Sequence, residues 1–269
     1  MTSARLPLSA FIICKDEAAT IGPCLESVKD FAEIVVVDSG SSDGTVQLLE
    51  GYAAKGYPVR IFRRDWPGYA KQKQFALEQC TQPWCLSLDA DERVDAALLA
   101  ALPSLTAADA TVDAWRLNFR MHLYAYGYTP DGVRFTRAVR LVRNGRVFFD
   151  PEQLVHEGVT VDGRIGEARQ GCILHARSLP IAEQVLKENR YSSLKAEQMF
   201  RKGRKASWAR LVFNPPLYFY RIFFRRRLFR CGKAGFVQAA TGSLYSLLTE
   251  AKLHQLHAAK RFHDPSAAD

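Results

Sequence analysis

No apolar run in the 269-residue chain reaches the ~18 residues that a bilayer-spanning helix requires, so none is expected. The six cysteines (Cys14, Cys24, Cys80, Cys85, Cys172 and Cys231) contain no CxxC pair and no framework spacing, which sets aside a disulfide-stapled scaffold. Several lie inside apolar runs and read as small buried hydrophobes, suited to a reducing compartment. The N-terminus lacks the charged region, long apolar stretch and small-residue cleavage site of a secretory signal, so the expected location is the cytoplasm. A Gly-rich, basic phosphate loop is missing near the N-terminus, which argues against a nucleotidyltransferase. There is no internal repeat, and no low-complexity tract before the short tail after His263. Acidic residues are absent from one whole segment: Arg201 to Lys233 holds eleven Arg or Lys and no Asp or Glu. The formal net charge is +9, so the rest of the chain is slightly acidic and the basicity belongs to that segment.

What is present is ample core material, 48% hydrophobic residues, enough for one large α/β domain or a domain with an appendage. Leu8 to Cys14 and Glu33 to Asp38 are continuous apolar runs, as expected of strands buried on both faces. Val59 to Phe62 and Trp84 to Leu88 are the third and fourth strands. Helices are expected over Ile21–Phe31, from near Gly44 with Asp43 as cap, over Tyr69–Cys80 and over Asp95–Leu102. The order is βαβαβαβ, which predicts an open parallel sheet with ligands beyond the carboxyl ends of its strands. From Thr111 the texture changes to shorter strands around 114–123, 137–142, 146–149 and 154–161, expected as antiparallel additions covering the site. Pro180 to Phe200 reads as a helix, and Pro215–Pro216 should split the following basic, aromatic stretch into two short helices.

Three acidic loops, KDE, DSGSSDG and DADE, fall at strand ends on one edge of this sheet. In DADE, residues two apart on an extended strand end face the same way, so Asp89 and Asp91 can converge on one ligand. Two hard carboxylates favour Mg²⁺ or Mn²⁺ with diphosphate oxygens and water completing the shell. Taken alone, the same loop could simply cap the next helix. Asp38 could contact a base or ribose, or merely form its turn. His175 reads either as a buried, hydrogen-bonded histidine, the reading favoured here, or as a late metal or phosphate contact.

The segments IICKDEAATIGPCLESV, EIVVVDSGSSDGT, DWPGYAKQKQFAL, LSLDADERV and LVHEGV resemble, in matched order from Leu8 to Val161, the motif series of glycosyltransferase family 2. Within it the chain is similar to bacterial lipopolysaccharide inner-core β-glucosyltransferases. The resemblance implies a GT-A (Rossmann-like), mostly parallel sheet flanked by helices over 1–178. A helical, basic and amphipathic C-terminal region over 179–269 would follow. It implies a metal-dependent, inverting enzyme taking a hexose from a nucleotide sugar, UDP-glucose, to a lipopolysaccharide core or other glycolipid acceptor. Carried over by position, Glu17, Asp38, Lys71 and Asp89 would bind the donor, Asp91 would hold the divalent cation (Mg²⁺ or Mn²⁺) with Asp89, and His156 could complete its shell. Asp16 stands where the family has an amide, Ala70 where glycine is common and Gln74 where asparagine is common. A single displacement needs an acceptor-side base, and Glu157 of VHE is the choice, with Asp131 and Asp150 as alternatives.

Residues 201–230 interleave Arg221, Arg225, Arg226, Arg227 and Arg230 with Trp208, Phe213, Tyr218, Phe219, Tyr220, Phe223, Phe224 and Phe229. This pattern predicts interfacial helices on an anionic surface, placing the enzyme peripherally on the cytoplasmic face of the inner membrane. The alternatives are packing on the catalytic domain and binding of nucleic acid, for which no accompanying reading motif is present. A polyprenyl phosphate or a capsule intermediate is the other acceptor class. A catalytically silent nucleotide-sugar-binding, membrane-tethering protein is the reading from another class, and it would not need the metal site.

Overall fold

The computed structural model describes residues 5–124, 126–134, 137–149, 159–177 and 179–263. Four parallel strands form the heart of the sheet: β1 (Leu6–Cys14), β2 (Phe31–Asp38), β3 (Val59–Arg63) and β4 (Trp84–Asp89). They alternate with α1 (Ile21–Ser27), α2 (Thr45–Ala54) and α3 (Tyr69–Glu78). Then come β5 (Glu92–Val94), α4 (Ala96–Leu105), β6 (Ala114–Leu123), β7 (Gly127–Tyr128), β8 (Arg137–Arg143), β9 (Val147–Phe149), β10 (Val159–Val161), β11 (Ile165–Glu167) and β12 (Ile173–His175). The main path of the sheet runs β3-β2-β1-β4-β8-β6-β12-β5, with β11 and β7 also paired to β6.

Side-chain alternation explains why the central strands read as unbroken apolar runs. Ala10, Ile12 and Cys14 join Ile34, Val36, Leu86 and Leu88 in one cluster with Ile21, Leu25, Leu49, Leu98 and Leu102 of the helices. Phe11 and Ile13 join Val35, Val37 and Cys85 on the other face, against Ala70, Ala76 and Leu77 of α3. All six cysteines are buried and unpaired.

Three expectations are corrected. α1 stops at Ser27 because the Val28 amide closes onto Leu25 O, and Phe31 already belongs to β2. β9 and β10 pair with each other rather than extending the main sheet, because Val147 and Phe149 pack into the cluster on the α3 face. Pro215 and Pro216 do not split their helix: α6 (Trp208–Tyr220) runs through both. The prolines forgo bonds to the carbonyls of Leu211 and Val212, neither of which is buried, so water can take them. The chain breaks later, at Arg227 with φ +62°, after a π-helical turn over Arg221–Arg225.

By internal contacts the chain forms two units, one of residues 1–121 and 135–177, the other of 122–134 and 178–269. The chain leaves the first unit at 122, returns to it at 135 and leaves it again after Arg177. That unit contains α5 (Ile181–Arg201), α6 and α7 (Gly232–His263). No helix among the described residues is long and apolar enough to cross a membrane.

Gly171, just before β12, has φ +70°, and a Cβ there would stand 2.0 Å from the backbone nitrogen of Leu98. Neither the left-handed backbone nor the α4 backbone can yield cheaply. Gly171→Ala is expected to destabilise the fold by at least about 1–3 kcal/mol, read as a lower midpoint in urea unfolding. An unchanged midpoint would show that this close approach is not rigid.

Candidate active site

The carboxyl ends of β1, β2 and β4 are level: Cys14 pairs in register with Asp38, and Ile13 with Asp89. The three acidic loops therefore meet at one edge. The first two are sewn together by short polar bonds. Asp16, held at φ +55° where aspartate is tolerated, accepts from the Ser42 amide at 2.7 Å, and its own amide donates to Ser41 Oγ at 2.8 Å. The Glu17 amide donates to Thr45 Oγ1, and the Ala18 amide to Asp43. Asp43 also accepts from the Thr45 amide at the start of α2. Asp38 is buried; its Oδ1 accepts from the amides of Gly40 and Ser41, each at 3.0 Å, and its Oδ2 from the Ser41 hydroxyl. Of the two roles open to Asp38, the structure displays the turn-forming one.

The third loop separates the two aspartates of DADE. Asp89 Oδ1 accepts from Lys73 Nζ at 3.0 Å and Oδ2 from Arg140 at 3.0 Å. Arg140 also donates to Glu92 Oε1 at 3.0 Å, while Glu92 Oε2 accepts from the Asp89 amide. Burial pushes the Asp89 carboxyl up, but the charges of Arg140 and Lys73 outweigh it and hold Asp89 well below the ordinary carboxylate range. Burial dominates at Glu92, raising it to about 7 against the pull of Arg140. This quartet, in which Glu92 and Lys73 are buried and Asp89 is partly exposed, fixes the end of β4. It engages both oxygens of Asp89, whereas Asp91 meets Arg177 and His175 through Oδ2.

Asp91 faces a different set of partners because β5 pairs antiparallel with β12, and the Ala176 amide donates to Asp91 O. That pairing brings His175 and Arg177 to the same edge. His175 Nε2 stands 3.6 Å from Asp91 Oδ2, and its buried Nδ1 has no hydrogen-bond partner among the described residues. The reading of His175 as a fully hydrogen-bonded core histidine is thus corrected: its ring faces a carboxylate. Arg177 donates to both Glu17 oxygens at 2.8 Å and lies 3.4 Å from Asp91 Oδ2, so one guanidinium bridges the first and third loops.

A divalent cation suits this donor set in one particular mode. A carboxylate and an imidazole are acceptable ligands for Mn²⁺ or Mg²⁺. Among the described residues no cluster of three or more His, Cys, Asp or Glu could cage an ion alone. Substrate phosphates and water would have to supply the remaining positions, which is the usual arrangement for these hard ions.

The other sequence-derived candidates are distributed as follows. Lys71 is exposed on α3 and lines a cavity of about 230 Å³ with Arg64, Gln74, Phe75, Glu78 and Phe149. Lys73, two residues on, is the lysine that reaches the edge. Asp131 is in an exposed turn of the second unit. Asp150, His156 and Glu157 lie outside the described residues. Sequence reasoning missed Lys73, Glu92, Arg140 and Arg177. A signal existed for Lys73: on a 3.6-residue period it shares the buried side of α3 with Ala70, Ala76 and Leu77, whereas Lys71 points away. Arg140 and Arg177 come from distant strands and gave no local signal.

Comparison with known proteins agrees with this geometry. The family model described as Glycosyl transferase family 2 matches residues 9–151. The chain is 52% identical over 256 residues to the lipopolysaccharide core biosynthesis glycosyltransferase LpsC of Rhizobium meliloti (strain 1021), covering 95% of each chain. It is 31% identical over 260 residues to an uncharacterized glycosyltransferase of Rickettsia felis, covering 92% of this chain and 89% of that one. Among solved structures it resembles the mannosyltransferase PcManGT from Pyrobaculum calidifontis, in complex with GDP-Man and Mn²⁺, with a TM-score of 0.51 at 17% identity over 97% of this chain and 82% of that one. GalNAc-T7 with UDP, GalNAc and Mn²⁺ gives 0.52 at 16% identity over 64% and 44%. The two structures share the GT-A-type fold with this chain. With the level acidic edge, the ordered motifs and near full-length relatives in agreement, this chain belongs to glycosyl transferase family 2 and is a glycosyltransferase.

Proposed function

We propose that the enzyme is an inverting, metal-dependent transferase that moves glucose from UDP-glucose onto a heptose or similar acceptor of a lipopolysaccharide core. Its place of work would be the cytoplasmic face of the inner membrane. The observation that carries the donor half of this reading is the convergence of Glu17, Asp91, His175 and Arg177 at one sheet edge. The acceptor half is supported by the near full-length relative whose name assigns it to lipopolysaccharide core biosynthesis.

Each residue has a part in this reading. Asp91 and His175 would hold Mg²⁺ or Mn²⁺, with His156 as a further ligand from the VHE segment. When bound, the cation supplies Lewis-acid neutralisation of charge on the departing nucleoside diphosphate. Arg177 adds a fixed positive charge beside the diphosphate, at a point where its dipole and charge need no reorganisation. Lys73 and Arg140 keep Asp89 ionised and oriented, so that its remaining lone pairs can accept from the donor ribose. Asp38 shapes the turn under the base, Glu17 orients Arg177, and Lys71 would meet the donor from the exposed side of α3. Glu157 would take the proton of the acceptor hydroxyl, with Asp131 and Asp150 as alternatives.

A panel of UDP-, GDP- and ADP-sugars, each with and without Mn²⁺, tests the donor through thermal stabilisation. A ligand at a hundred times its Kd adds about 2.7 kcal/mol to apparent stability, readily seen in the unfolding midpoint. UDP-glucose with metal should give the largest shift; a larger response to GDP- or ADP-sugars would sink the donor assignment. Acid treatment of radiolabelled product tests the acceptor, since a lipid-monophosphate sugar is labile and a core glycoside is not.

A further inference from the structure

Helix α6 is two-faced. One side is fixed within its own unit: Arg210 pairs with the buried Glu250 of α7 at 3.1 Å, and the adjoining Phe219 and Phe223 rings meet Phe236 of α7 at 5.3 and 5.8 Å between centroids. Among the described residues the other side is largely open, with the Trp208 ring 6.0 Å from His254 of α7 at its margin. Trp208, Phe213 and Leu217 are 73%, 67% and 63% exposed, and Val212, Tyr220 and Phe224 continue the same exposed face. Not one residue of α6 is buried. A helix already anchored by one face has no structural need for such a surface on the other, and soluble surfaces rarely keep so many large apolar groups together. At its C-terminal end the exposed Arg221, Arg225, Arg226, Arg227 and Arg230 follow, and no acidic residue occurs between Arg201 and Lys233.

We propose that this open face of α6 is the element that enters an anionic lipid surface, lying in the plane of the membrane with Trp208, Val212, Phe213, Leu217, Tyr220 and Phe224 in the headgroup–acyl boundary. The arginines beyond it contact lipid phosphates. This deepens the membrane-surface reading of the basic segment, on which it rests, and it divides that segment's aromatics into two classes. Phe219 and Phe223 belong to packing inside the helical unit and Trp208 lies at its margin; Phe213, Tyr220 and Phe224 belong to the lipid. Apolar area supplies insertion and the arginines supply attraction to anionic headgroups, as in interfacial amphipathic helices generally. The charge distribution selects this occupant: an apolar face in a segment whose charged residues from Arg201 to Lys233 are all basic complements an anionic bilayer, and would repel a second copy of itself.

The test is cosedimentation of the full chain with vesicles of phosphatidylcholine and phosphatidylglycerol in equal parts, against phosphatidylcholine alone. The wild type should bind the anionic vesicles far more tightly. Phe213→Ser with Leu217→Ser should weaken that binding by about tenfold or more at both low and high salt, given what burial of each side chain contributes. Arg221→Gln with Arg225→Gln should weaken it about fivefold or more per charge at low salt only. All four positions are exposed, and circular dichroism with the unfolding midpoint establishes that the variants fold. Unchanged binding by the serine variant, or equal binding to neutral vesicles, overturns the proposal. So does a concentration-dependent dimer that the serine variant abolishes without any vesicle binding, or RNA binding in place of vesicle binding. Transfer to a water-soluble acceptor, measured without vesicles, should be the same in wild type and serine variant. Vesicle binding that behaves as expected in a protein with no transferase activity would instead defeat the functional reading and leave this one standing.

Discussion

Arg140→Met is expected to destabilise the first unit by about 3–5 kcal/mol, the usual cost of stranding a buried charge. The reason is local. The Glu92 side chain is 2% exposed and its Oε1 accepts from Arg140, which also holds Asp89. Removing the guanidinium leaves two carboxylates with Lys73 as their near counter-charge. Glu92 can relieve part of the loss by taking up a proton, since burial has already raised it to about 7 in the intact cluster. Its folded-state value lies above the ordinary carboxylate value and rises further in the variant. The stability linked to Glu92 is therefore present at low pH and lost as pH rises through that value, so Arg140→Met should be worse at pH 8 than at pH 6. Arg140→Met with Glu92→Gln should recover much of the loss, because it removes the stranded charge. Urea unfolding across that pH range measures all three. A single variant within about 0.5 kcal/mol of wild type would show that the quartet is not the lock that holds the end of β4.

Asp91→Asn should lower kcat/KM for glycosyl transfer by about 10²–10³-fold, the range found when one preorganised electrostatic group is removed from a transition state. It should also abolish the additional thermal stabilisation that Mn²⁺ gives in the presence of UDP. Asparagine keeps the size and the hydrogen-bonding reach of Asp91 toward Arg177, so the fold should survive. The charge that would draw a cation to the edge is what disappears. The matching change at Asp89 is predicted to behave differently: Asp89→Asn unbalances Lys73 and Arg140, and its first readout is stability rather than metal response. Full transfer by Asp91→Asn would remove Asp91 from the metal site. Loss of activity with an unaltered metal response would assign it to Arg177 instead.

These two predictions show where the sequence stopped being informative. DADE at the end of an apolar strand was legible as a candidate site, because a period-two alternation and a strand terminus are local properties. The division of labour between its aspartates was not. Asp89 is locked because a lysine from α3 and an arginine from β8 converge on it, and Asp91 has other partners because β12 and the residues after it bring His175 and Arg177 beside it. None of those four residues is a neighbour of DADE in the chain. Lys73 could have been singled out beside Lys71 on helical periodicity alone; the motif likeness points only to Lys71, on the exposed side of α3.

The alternating strands and helices, the continuous apolar runs and the turn-rich acidic loops determined by themselves that the first half is a parallel sheet with its acidic loops at one edge. Each depends on residues a few positions apart, where backbone period and burial leave a repeating mark. The same was true of the one-sided charge between Arg201 and Lys233. The tertiary structure decided which partners each carboxylate keeps, how far α6 continues past Pro215 and Pro216, and which aromatics are packed and which are bare. Those outcomes depend on contacts between segments far apart in the chain, whose energies are set by burial and by paired charge. LDADE therefore carries two differently partnered carboxylates: Asp89, held through both oxygens at the strand end, and Asp91, buried beside His175 and Arg177.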